Sequence, residues 1–526
     1  MRKSIYTLVL CAVLAGTTQG QRLVNVPPNV IDGLATTIQA DSVARTAALP
    51  TQTIYILARN GYYPCVQAIN NYNYFLYIKA ASGTGYRPLL VPSPTSGTTY
   101  AYNINFRSNG KLEGLTLEAS RPTGGVNNRY INLYNGSSLW VKDCEVMHDR
   151  GGAIAIWSDS CSLYMEDCFV HSIGHPKSLG GNGRVVDIRP TNYQDSIVVQ
   201  NTTFFNLTDR IFRNVGTSVN YVKWDHNTGL TTEGFHGGFE AGKTRELIVT
   251  NNIFYNTIAL GSFKKRTSTG SATHEQTQPE KYKMWVLTLD TLYADSKITV
   301  RNNNIFWDQA YKDLWLKWKD STEAPGNITP TIMKALVDST KAYFSETLTF
   351  QAPPPSIYNF IDSALAFPNS VSLPENWSFA YQDSLGKTPV NGSYGTTAAS
   401  YTRADGGFPV GDLNWYPALK ARWLNNLPAD VAPGEAGLPA HYALTQNYPN
   451  PFNPSTELSF DMSASGFVSL VVYDVLGREV ATLVNEVKQS GTHSVTWNAK
   501  GQSSGVYFCK MQAGSFVATR QMLLVK

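Results

Sequence analysis

The sequence is poor in the features that mark nucleic-acid-binding and membrane-spanning proteins. Only 16% of its 526 residues are charged, and 43 Lys and Arg stand against 39 Asp and Glu, a formal net charge of +4. Because neither sign dominates and no basic run occurs, the charge pattern predicts no nucleic-acid partner. Beyond the N-terminal stretch, no segment has about 18 uninterrupted apolar residues, so we also expect no transmembrane segment.

Cysteine is scarce as well. The chain has six, and Cys11 falls in the N-terminal apolar stretch, which leaves an odd number spread over a long sequence. This spread, without CxxC or the Cys/His spacing of a zinc site, excludes a disulfide framework and a zinc-finger module. We expect most of the cysteines to be buried small apolar residues.

The N-terminus has the pattern of a secretory signal peptide. Arg2 and Lys3 precede an apolar stretch from Ile5 to Gly16, and Thr18-Gln-Gly20 forms a small-residue cleavage site. Residues 1–20 are therefore predicted to be removed on export, so that the protein works outside the cytoplasm.

The middle of the chain repeats itself at a fixed phase. Each copy is a short alternating strand, an Asn or Asp, and a second strand, in a chain rich in Gly and Tyr. The copies are Leu139–Val146, Leu163–Val170, Ile197–Phe204, Leu247–Phe254, Ile298–Ile305 and a weaker Tyr221–Thr228. Repeats of about 20 to 25 residues with variable insertions indicate a solenoid. The predicted fold is all-β, a right-handed parallel β-helix over residues 21–425.

The Asn or Asp of each copy is predicted to form the bend between two faces of the coil. These residues are at positions 143, 167, 201, 225, 251 and 302. Asn and Asp tolerate the left-handed conformation and can hydrogen-bond a neighbouring coil about 4.8 Å away. Cys144 and Cys168 have the same phase on adjacent coils, where a disulfide and two stacked thiols are equally compatible with the spacing.

The solenoid is expected to begin near residue 25, and the repeat fades after Trp307. The sequence from Trp307 to about Asn425 contains a helix-like run from Thr331 to Phe344, followed by Pro-rich segments. We therefore expect a cap with flanking loops in this part of the domain.

The C-terminal part predicts a separate small domain. An Ala- and Pro-rich linker at 426–441 precedes short alternating strands separated by Gly, Asn and Asp in 442–526, which is typical of a small Ig-like β-sandwich. Its motifs are Leu444–Thr456, Val471–Val480, Gly491–Trp497, Ser504–Phe508 and Leu523–Lys526. These motifs closely resemble the type A sorting domain of the type IX secretion system. The resemblance implies export through the periplasm and across the outer membrane by that machinery, followed by release or attachment at the cell surface.

A parallel β-helix suits extended glycans, and one segment is similar to a known family of enzymes with this fold. The segment Phe239–Asn256, followed by Gly261–Arg266, resembles the chondroitinase-B-like and alginate-lyase β-helix motif. In that motif a Lys precedes the Asn-Asn-x-Phe bend by eight residues and an Arg-His-Gly follows the bend. That resemblance implies Lys243 as the Brønsted base and Lys264 in the position of the family's Arg. Here Lys264 to Arg266 replaces Arg-His-Gly, which makes Arg266 a further candidate. Glu240 lies near the family's acidic residues that hold calcium, so calcium is the expected cofactor.

Two functions follow from this pattern. The first is lyase-type β-elimination on an extracellular uronate polysaccharide, in which a cation neutralises the carboxylate and a base removes the C5 proton. Lys243 and Lys264 are 21 residues apart, about one coil, and would be neighbours on the solenoid. The alternative is a non-catalytic glycan-binding, adhesin or structural surface protein, with these lysines as solvated charges on a coil edge. We expect a monomer in either case.

Several other residues could line a groove. Four Trp residues could stack on sugars or pack in the core, and the polar clusters could contact ligand. These are Trp140, Trp157, Trp224 and Trp307, with the clusters His148-Asp149-Arg150, Arg184/Asp187/Arg189, Asp209/Arg210/Arg213 and Asp225-His226.

Overall fold

The computed structural model shows two compact units, one with residues up to 405 together with 409–415, and one with 406–408 and 416–526. The structure describes residues 21–41, 53–93, 103–119, 129–149, 151–174, 183–189, 192–214, 216–232, 238–257, 285–318, 326–354, 390–427, 429, 442–447, 449–462, 466–475, 477–488, 491–513 and 516–525.

The first unit is the predicted right-handed parallel β-helix. Its strands are β1 (Arg22–Val26), β2 (Thr53–Leu57), β3 (Tyr62–Cys65), β4 (Ile69–Asn71), β5 (Leu76–Ala80), β6 (Leu89–Pro92), β7 (Ile104–Phe106), β8 (Gly110–Glu113), β9 (Thr116–Glu118), β10 (Ile131–Leu133), β11 (Ser138–Lys142), β12 (Glu145–Met147), β13 (Gly152–Ile156), β14 (Ser162–Glu166), β15 (Phe169–Ile173), β16 (Arg184–Ile188), β17 (Tyr193–Gln200), β18 (Thr203–Leu207), β19 (Phe212–Asn214), β20 (Ser218–Asp225), β21 (Thr228–Thr232), β22 (Phe239–Glu240), β23 (Lys243–Thr250), β24 (Ile253–Thr257), β25 (Trp285–Thr288), β26 (Lys297–Arg301), β27 (Asn303–Phe306), β28 (Gly326–Ile328) and β29 (Tyr343–Phe344).

These strands form three parallel sheets, and each full coil contributes one strand to each sheet. Sheet 1 has ten strands in the order β1-β2-β5-β8-β11-β14-β17-β20-β23-β26. Sheet 2 has ten, β3-β6-β9-β12-β15-β18-β21-β24-β27-β29, and sheet 3 has nine, β4-β7-β10-β13-β16-β19-β22-β25-β28. The inward side chains of all three sheets meet in a single apolar core that no coil could close alone.

The strand register confirms the repeat with one correction. Leu139, Leu163 and Ile197 stack in sheet 1 as predicted. The next residue in this stack is Val222, one position later than the weak copy predicted, because β17 pairs Ile197 with Val222. The bend of that coil is therefore at His226 and not at Asp225.

Positive φ angles mark the bends between sheets 1 and 2. The left-handed residues are Asp143 (51°), Asp167 (60°), Asn201 (47°), His226 (54°), Asn251 (62°) and Asn302 (57°). Asp225 is instead the last residue of β20, where its carboxylate accepts hydrogen bonds from Thr250 Oγ1 at 2.8 Å and Asn251 Nδ2 at 2.9 Å. A hydrogen bond between bend residues of adjacent coils is present as predicted, from Asn302 Nδ2 to Asn251 Oδ1 at 3.1 Å.

A second hydrogen-bond ladder, which was not predicted, lies inside the turn one residue later. Asn252 Oδ1 accepts from the Asn227 backbone amide at 2.9 Å, and Asn252 Nδ2 donates to Asn303 Oδ1 at 2.9 Å. Cys144 and Cys168 occupy the equivalent positions in earlier coils, as buried free thiols. Burial raises the pKa of the Cys144 thiol to about 12.

Helices close the two ends of the core. Helix α1 (Gly33–Ala40) buries Leu34, Ala35 and Ile38 against the first coil. After β27 come α2 (Gln309–Trp318) and α3 (Pro330–Ala335). The predicted helix from Thr331 to Phe344 is wrong in extent, because Leu336 is extended and the chain re-enters the solenoid at β29.

The described residues after β29 add few regular elements to the first unit. Strands β30 (Phe350–Ala352) and β31 (Asn391–Tyr394) pair antiparallel. Within the described part of the unit there are also 3-10 turns at Ser339–Lys341, Ala399–Tyr401 and Leu413–Trp415.

The second unit contains the predicted Ig-like β-sandwich. Its elements are α4 (Pro417–Leu424), β32 (Ala443–Leu444), β33 (Ser455–Met462), β34 (Gly466–Tyr473), β35 (Glu479–Lys488), β36 (Gly491–Asn498), β37 (Gly505–Ala513) and β38 (Phe516–Leu524). A three-stranded sheet, β32-β33-β36, and a four-stranded sheet, β35-β34-β37-β38, are antiparallel and share one core. Phe460, Leu470 and Met511 are fully buried in it.

Candidate functional site

The outer face of sheet 2 is covered by the chain itself. Trp415 packs edge-on against Phe169, with ring centroids 5.2 Å apart. Asp412 accepts a hydrogen bond from Thr203 Oγ1 at 2.7 Å. Since residues of the irregular stretch after β29 occupy this surface, it is a poor candidate for a ligand site.

The outer face of sheet 1 is half-exposed but balanced in charge. Lys142 Nζ contacts Glu166 at 2.7 Å, and Lys111 Nζ contacts Glu113 at 2.5 Å. Because each carboxylate has a lysine neighbour, the face offers no excess charge of either sign to a ligand.

The outer face of sheet 3 carries a stack of aromatic rings and guanidinium groups. Each member directly follows a sheet 3 strand, at Tyr72, Arg107, Tyr134, Trp157 and Arg189. Arg107 lies 4.5 Å from the Tyr134 ring centroid and 5.4 Å from that of Tyr72. Tyr134 and Trp157 are nearly parallel at 6.5 Å, and Arg189 covers the Trp157 ring at 5.2 Å. We call these five residues the aromatic-arginine stack.

The stack leaves part of the Tyr72 and Trp157 rings exposed to solvent. Tyr72 is 56% exposed and Trp157 is 37% exposed, although both lie on a sheet whose opposite face is core. Exposed rings with a polar edge are suited to stacking on sugar rings.

A row of amides runs beside the stack on the same face. Asn105 Nδ2 donates to Asn70 Oδ1, and Asn132 Nδ2 donates to Asn105 Oδ1, each at 3.0 Å. Trp157 Nε1 donates to Asn132 Oδ1 at 2.8 Å, which fixes the indole against the row. The strand register continues this row through Ala155 to Asp187.

Asp187 holds four arginines together. Its fully buried carboxylate contacts guanidinium nitrogens at 2.9 to 3.4 Å. The four residues are Arg129, Arg184, Arg189 and Arg213. Burial alone would raise the pKa of the Asp187 carboxyl, but Arg184, Arg213 and Arg189 outweigh burial, and the pKa lies below its ordinary value.

Two clusters that the sequence predicted separately are joined in one network. Arg184 Nε contacts Asp209 at 2.8 Å, and Asp209 also contacts Arg210 Nε at 3.0 Å. Arg210 in turn contacts the Glu240 carboxylate. We call Asp187, Asp209, Glu240 and the arginines around them the arginine cluster.

The arginine cluster and the stack carry more positive than negative charge. Among the described residues they contain six arginines and three carboxylates. The Nε atoms of Arg107, Arg189 and Arg213 are buried and have no hydrogen-bond partner. The side chains of Arg189 and Arg213 are nevertheless 26% and 16% exposed, and partly exposed guanidinium groups with an excess of positive charge suit carboxylate or sulfate groups of a ligand.

The predicted catalytic residues are only partly described. Glu240 follows Asp187 and Arg213 on the same outer row of sheet 3, and Lys243 begins β23 in sheet 1. Lys264 and Arg266 lie outside the described residues. The roles predicted for Lys243, Lys264, Arg266 and Glu240 therefore stay predictions.

A calcium site does not assemble around Glu240. Its carboxylate contacts the Arg210 guanidinium, a cation that would repel a metal ion, and burial raises the pKa of the Glu240 carboxyl despite Arg210. In the part of the chain that the structure describes, no group of three or more His, Cys, Asp or Glu could hold a metal. Calcium stays a prediction.

The other predicted candidates have mostly structural positions. Trp224 is fully buried, Trp307 packs on the core, and Trp140 stacks on Tyr164 at 5.2 Å on sheet 1. Of the four Trp residues, Trp157 is the one on the face with excess positive charge.

The described residues of the His148-Asp149-Arg150 cluster, His148 and Asp149, each have a structural role. His148 Nδ1 contacts Glu118 at 2.7 Å beside sheet 2, and Arg150 lies outside the described residues. Asp149 is fully buried and accepts the backbone amides of Tyr130 and Gly151 at 2.6 and 2.7 Å, so it organises the start of β10 and β13.

Sequence analysis missed Tyr72, Arg107, Tyr134 and Arg129. The first three directly follow sheet 3 strands of three residues each, β4, β7 and β10. Such short strands lack the repeat signature, which comes from sheets 1 and 2. Loops of different length precede these strands, so no fixed spacing in the sequence aligns the residues that follow them.

A comparison with protein families decides the role of the C-terminal unit. Residues 446–526 match the family described as the secretion system C-terminal sorting domain. The chain carries a secretion sorting domain. The sorting domain coincides with most of the β-sandwich and directs the protein to secretion or to the cell surface by the type IX system. Among curated proteins, none matches the chain. In the described residues no helix is long and apolar enough to cross a membrane.

Proposed function

We propose that the protein binds an anionic polysaccharide outside the cell, along the outer face of sheet 3. The observation that carries this proposal is the pairing of exposed rings with the arginine cluster on one face. Rings at Tyr72 and Trp157 offer stacking surfaces, and the guanidinium groups around Asp187 offer charge-assisted hydrogen bonds.

The spacing of the face supports an extended ligand. Successive members of the stack lie on neighbouring coils, which parallel pairing sets about 4.8 Å apart. The end of the face near Tyr72 is neutral, and a polymer would contact rings and amides there. Further along the face the polymer would contact the arginine cluster. Export of the chain by its sorting domain supports an extracellular ligand.

The direct test is affinity electrophoresis of the mature protein in gels that contain a uronate polymer, a sulfated glycan or neutral dextran. We expect retardation by one of the acidic polymers, which weakens as salt is raised because exposed charge pairs are screened. Equal mobility in all the gels would contradict the proposal.

Lyase activity is the second candidate function, and the position of Glu240 and Lys243 favours it. Glu240 lies on the same row as the arginine cluster, and Lys243 follows three residues later. In β-elimination a base removes the C5 proton, a C4–C5 double bond forms, and the bond from C4 to the leaving oxygen breaks, with that oxygen taking up a proton from an acid or from water. Lys243 would be the base, with arginines of the cluster neutralising the uronate carboxylate.

The unsaturated product absorbs in the ultraviolet, so the mature protein with an acidic polymer tests this activity. Loss of the absorbance increase in Lys243→Ala, with unchanged retardation in the gel, would support the lyase. If the unsubstituted protein is retarded in the gel but causes no absorbance change, the result would contradict lyase activity and support binding only.

A further inference from the structure

The outer face of sheet 1 has a regular pattern that neither glycan binding nor export uses. The strands β5, β8, β11 and β14 pair in register, and each contributes two outward residues. One line of residues alternates in charge, and we call it the charge row: Lys79, Glu113, Lys142 and Glu166. The line beside it, which we call the aromatic row, is Tyr77, Lys111, Trp140 and Tyr164.

We propose that sheet 1 is a self-association surface, on which a second copy of this chain packs face to face with its solenoid antiparallel. The inference goes beyond glycan binding and uses a different face of the solenoid. It replaces the expectation of a monomer.

The charge row is self-complementary in this arrangement. The two copies are related by a two-fold axis that runs parallel to the strands, between β8 and β11. The coils of the second copy then run in the opposite order, and each row of one copy faces the same row of the other. Lys79 then faces Glu166 of the second copy, and Glu113 faces Lys142 of the second copy. All four contacts of the row join opposite charges.

The aromatic row is complementary under the same axis. Lys111 faces the Trp140 ring of the second copy, which is a cation–π contact, and Tyr77 faces Tyr164. A two-fold along the solenoid axis would instead set the charge row against the aromatic row and pair opposite charges only at β8, where Glu113 faces Lys111 of the second copy. The sequence of side chains therefore favours the first of the two symmetric packings, in which all four contacts of the charge row join opposite charges.

The outward side chains of the strands nearest the two-fold axis are accessible enough for these contacts. The side chains of Lys142 and Glu166 are 42% and 33% exposed, and those of Lys111 and Glu113 are 29% and 30% exposed. Within one copy they already pair along the face, but exposed pairs of this kind contribute little and can exchange partners.

The size of the face is sufficient for a specific dimer. The axis between β8 and β11 places the eight strands from β1 to β20 of sheet 1 opposite each other. Eight strands that are about 4.8 Å apart and about 17 Å long would bury about 1,300 Å² of surface, summed over both copies. This buried area is within the range of specific interfaces.

Charge reversal with a mixing experiment tests the packing. Sedimentation equilibrium of the mature full chain, from about 1 to about 100 µM, should show a dimer. Glu113→Lys alone and Lys142→Glu alone each set like charges opposite each other at two contacts, so each should raise the dimer Kd at least about tenfold.

An equimolar mixture of the two variants should dimerise again, because the heterodimer contains only opposite-charge contacts. Arg245→Glu, an exposed charge reversal on β23 outside the eight strands, should leave the Kd unchanged. A monomer at all concentrations would overturn the proposal. A mixture whose dimer Kd is no lower than that of the separate variants would overturn it as well. Neither result would affect the gel test of glycan binding.

Discussion

At the scale of single residues, the site depends on side chains held rigidly before any ligand arrives. Trp157 is fixed by its hydrogen bond to Asn132, and the guanidinium groups of Arg129 and Arg189 lie 5.4 and 5.2 Å from its ring centroid. A rigid ring loses little conformational entropy when a sugar stacks on it, which is why fixed aromatic side chains dominate many binding surfaces.

The residue-scale prediction for binding concerns Trp157. Trp157→Ala should weaken the affinity for an acidic oligosaccharide about tenfold or more, because it removes the ring of the stack that contacts the arginine cluster. Isothermal titration calorimetry measures the change. Trp140→Ala removes the same residue type from sheet 1 and is the matched control. Equal effects of the two substitutions would contradict the assignment to sheet 3.

The lowered pKa of the Asp187 carboxyl leads us to expect that stability depends on pH. Its pKa is lowered in the folded protein, so its carboxylate stabilises the fold above the ordinary Asp pKa of about 3.9, and this contribution is lost as pH falls through the lowered value. Asp187→Asn should lower the free energy of unfolding by about 3 kcal/mol at neutral pH, because four arginines lose their counter-charge.

Urea unfolding of the wild type and of Asp187→Asn, between about pH 3 and pH 7, measures this contribution. The difference between the two proteins should shrink at the acidic end. A difference that stays constant over the whole range would show that the carboxylate charge is not the cause.

At the scale of elements, the bends determine the register of the whole solenoid. The repeat in sheets 1 and 2 was visible in the sequence because Asn and Asp favour the left-handed bend and apolar residues alternate around it. His226 escaped notice because it takes a bend position with a side chain less common there, while the neighbouring Asp225 fitted the pattern.

The site was harder to predict than the fold, for a physical reason. Arg129, Arg184 and Arg213 meet at Asp187 from three different coils, and only the strand register brings them together. The register of sheet 3 depends on connections of variable length, which no local pattern in the sequence measures. The fold repeats, whereas the side chains of the site do not.

The element-scale prediction concerns the inward amide ladder. Asn252→Ala should lower the free energy of unfolding by about 3 kcal/mol, since it leaves the buried Asn227 amide and Asn303 side chain each short of a hydrogen bond. Denaturant unfolding measures the loss. Asn220→Ala, at an exposed position of β20, should change stability by less than about 0.5 kcal/mol. Similar losses in both would show that the ladder carries no special stability.

At the scale of the whole molecule, the solenoid has three faces with three different surfaces. Sheet 2 is covered by the chain's own residues, sheet 1 is balanced in charge, and sheet 3 has exposed rings and an excess of positive charge. The sorting domain adds the export signal and has its own core. Binding and export are therefore expected to be separable.

Deletion of residues 442–526 tests this separation. In the producing cell the shortened chain should accumulate in the periplasm, while extracts of it should retain the gel retardation of the mature protein. Cell fractionation with immunoblotting locates the chain. Undiminished release of the shortened chain would contradict the role of the sorting domain, and loss of retardation would contradict the independence of the solenoid.

The central claim is that sheet 3 is the ligand face. Hydroxyl-radical footprinting with mass spectrometry, with and without a saturating acidic polysaccharide, tests it most directly. We predict strong protection of Tyr72, Tyr134 and Trp157, with Trp140 and Tyr164 on sheet 1 unchanged. Unchanged oxidation of Trp157 in a complex shown to be saturated would contradict the account.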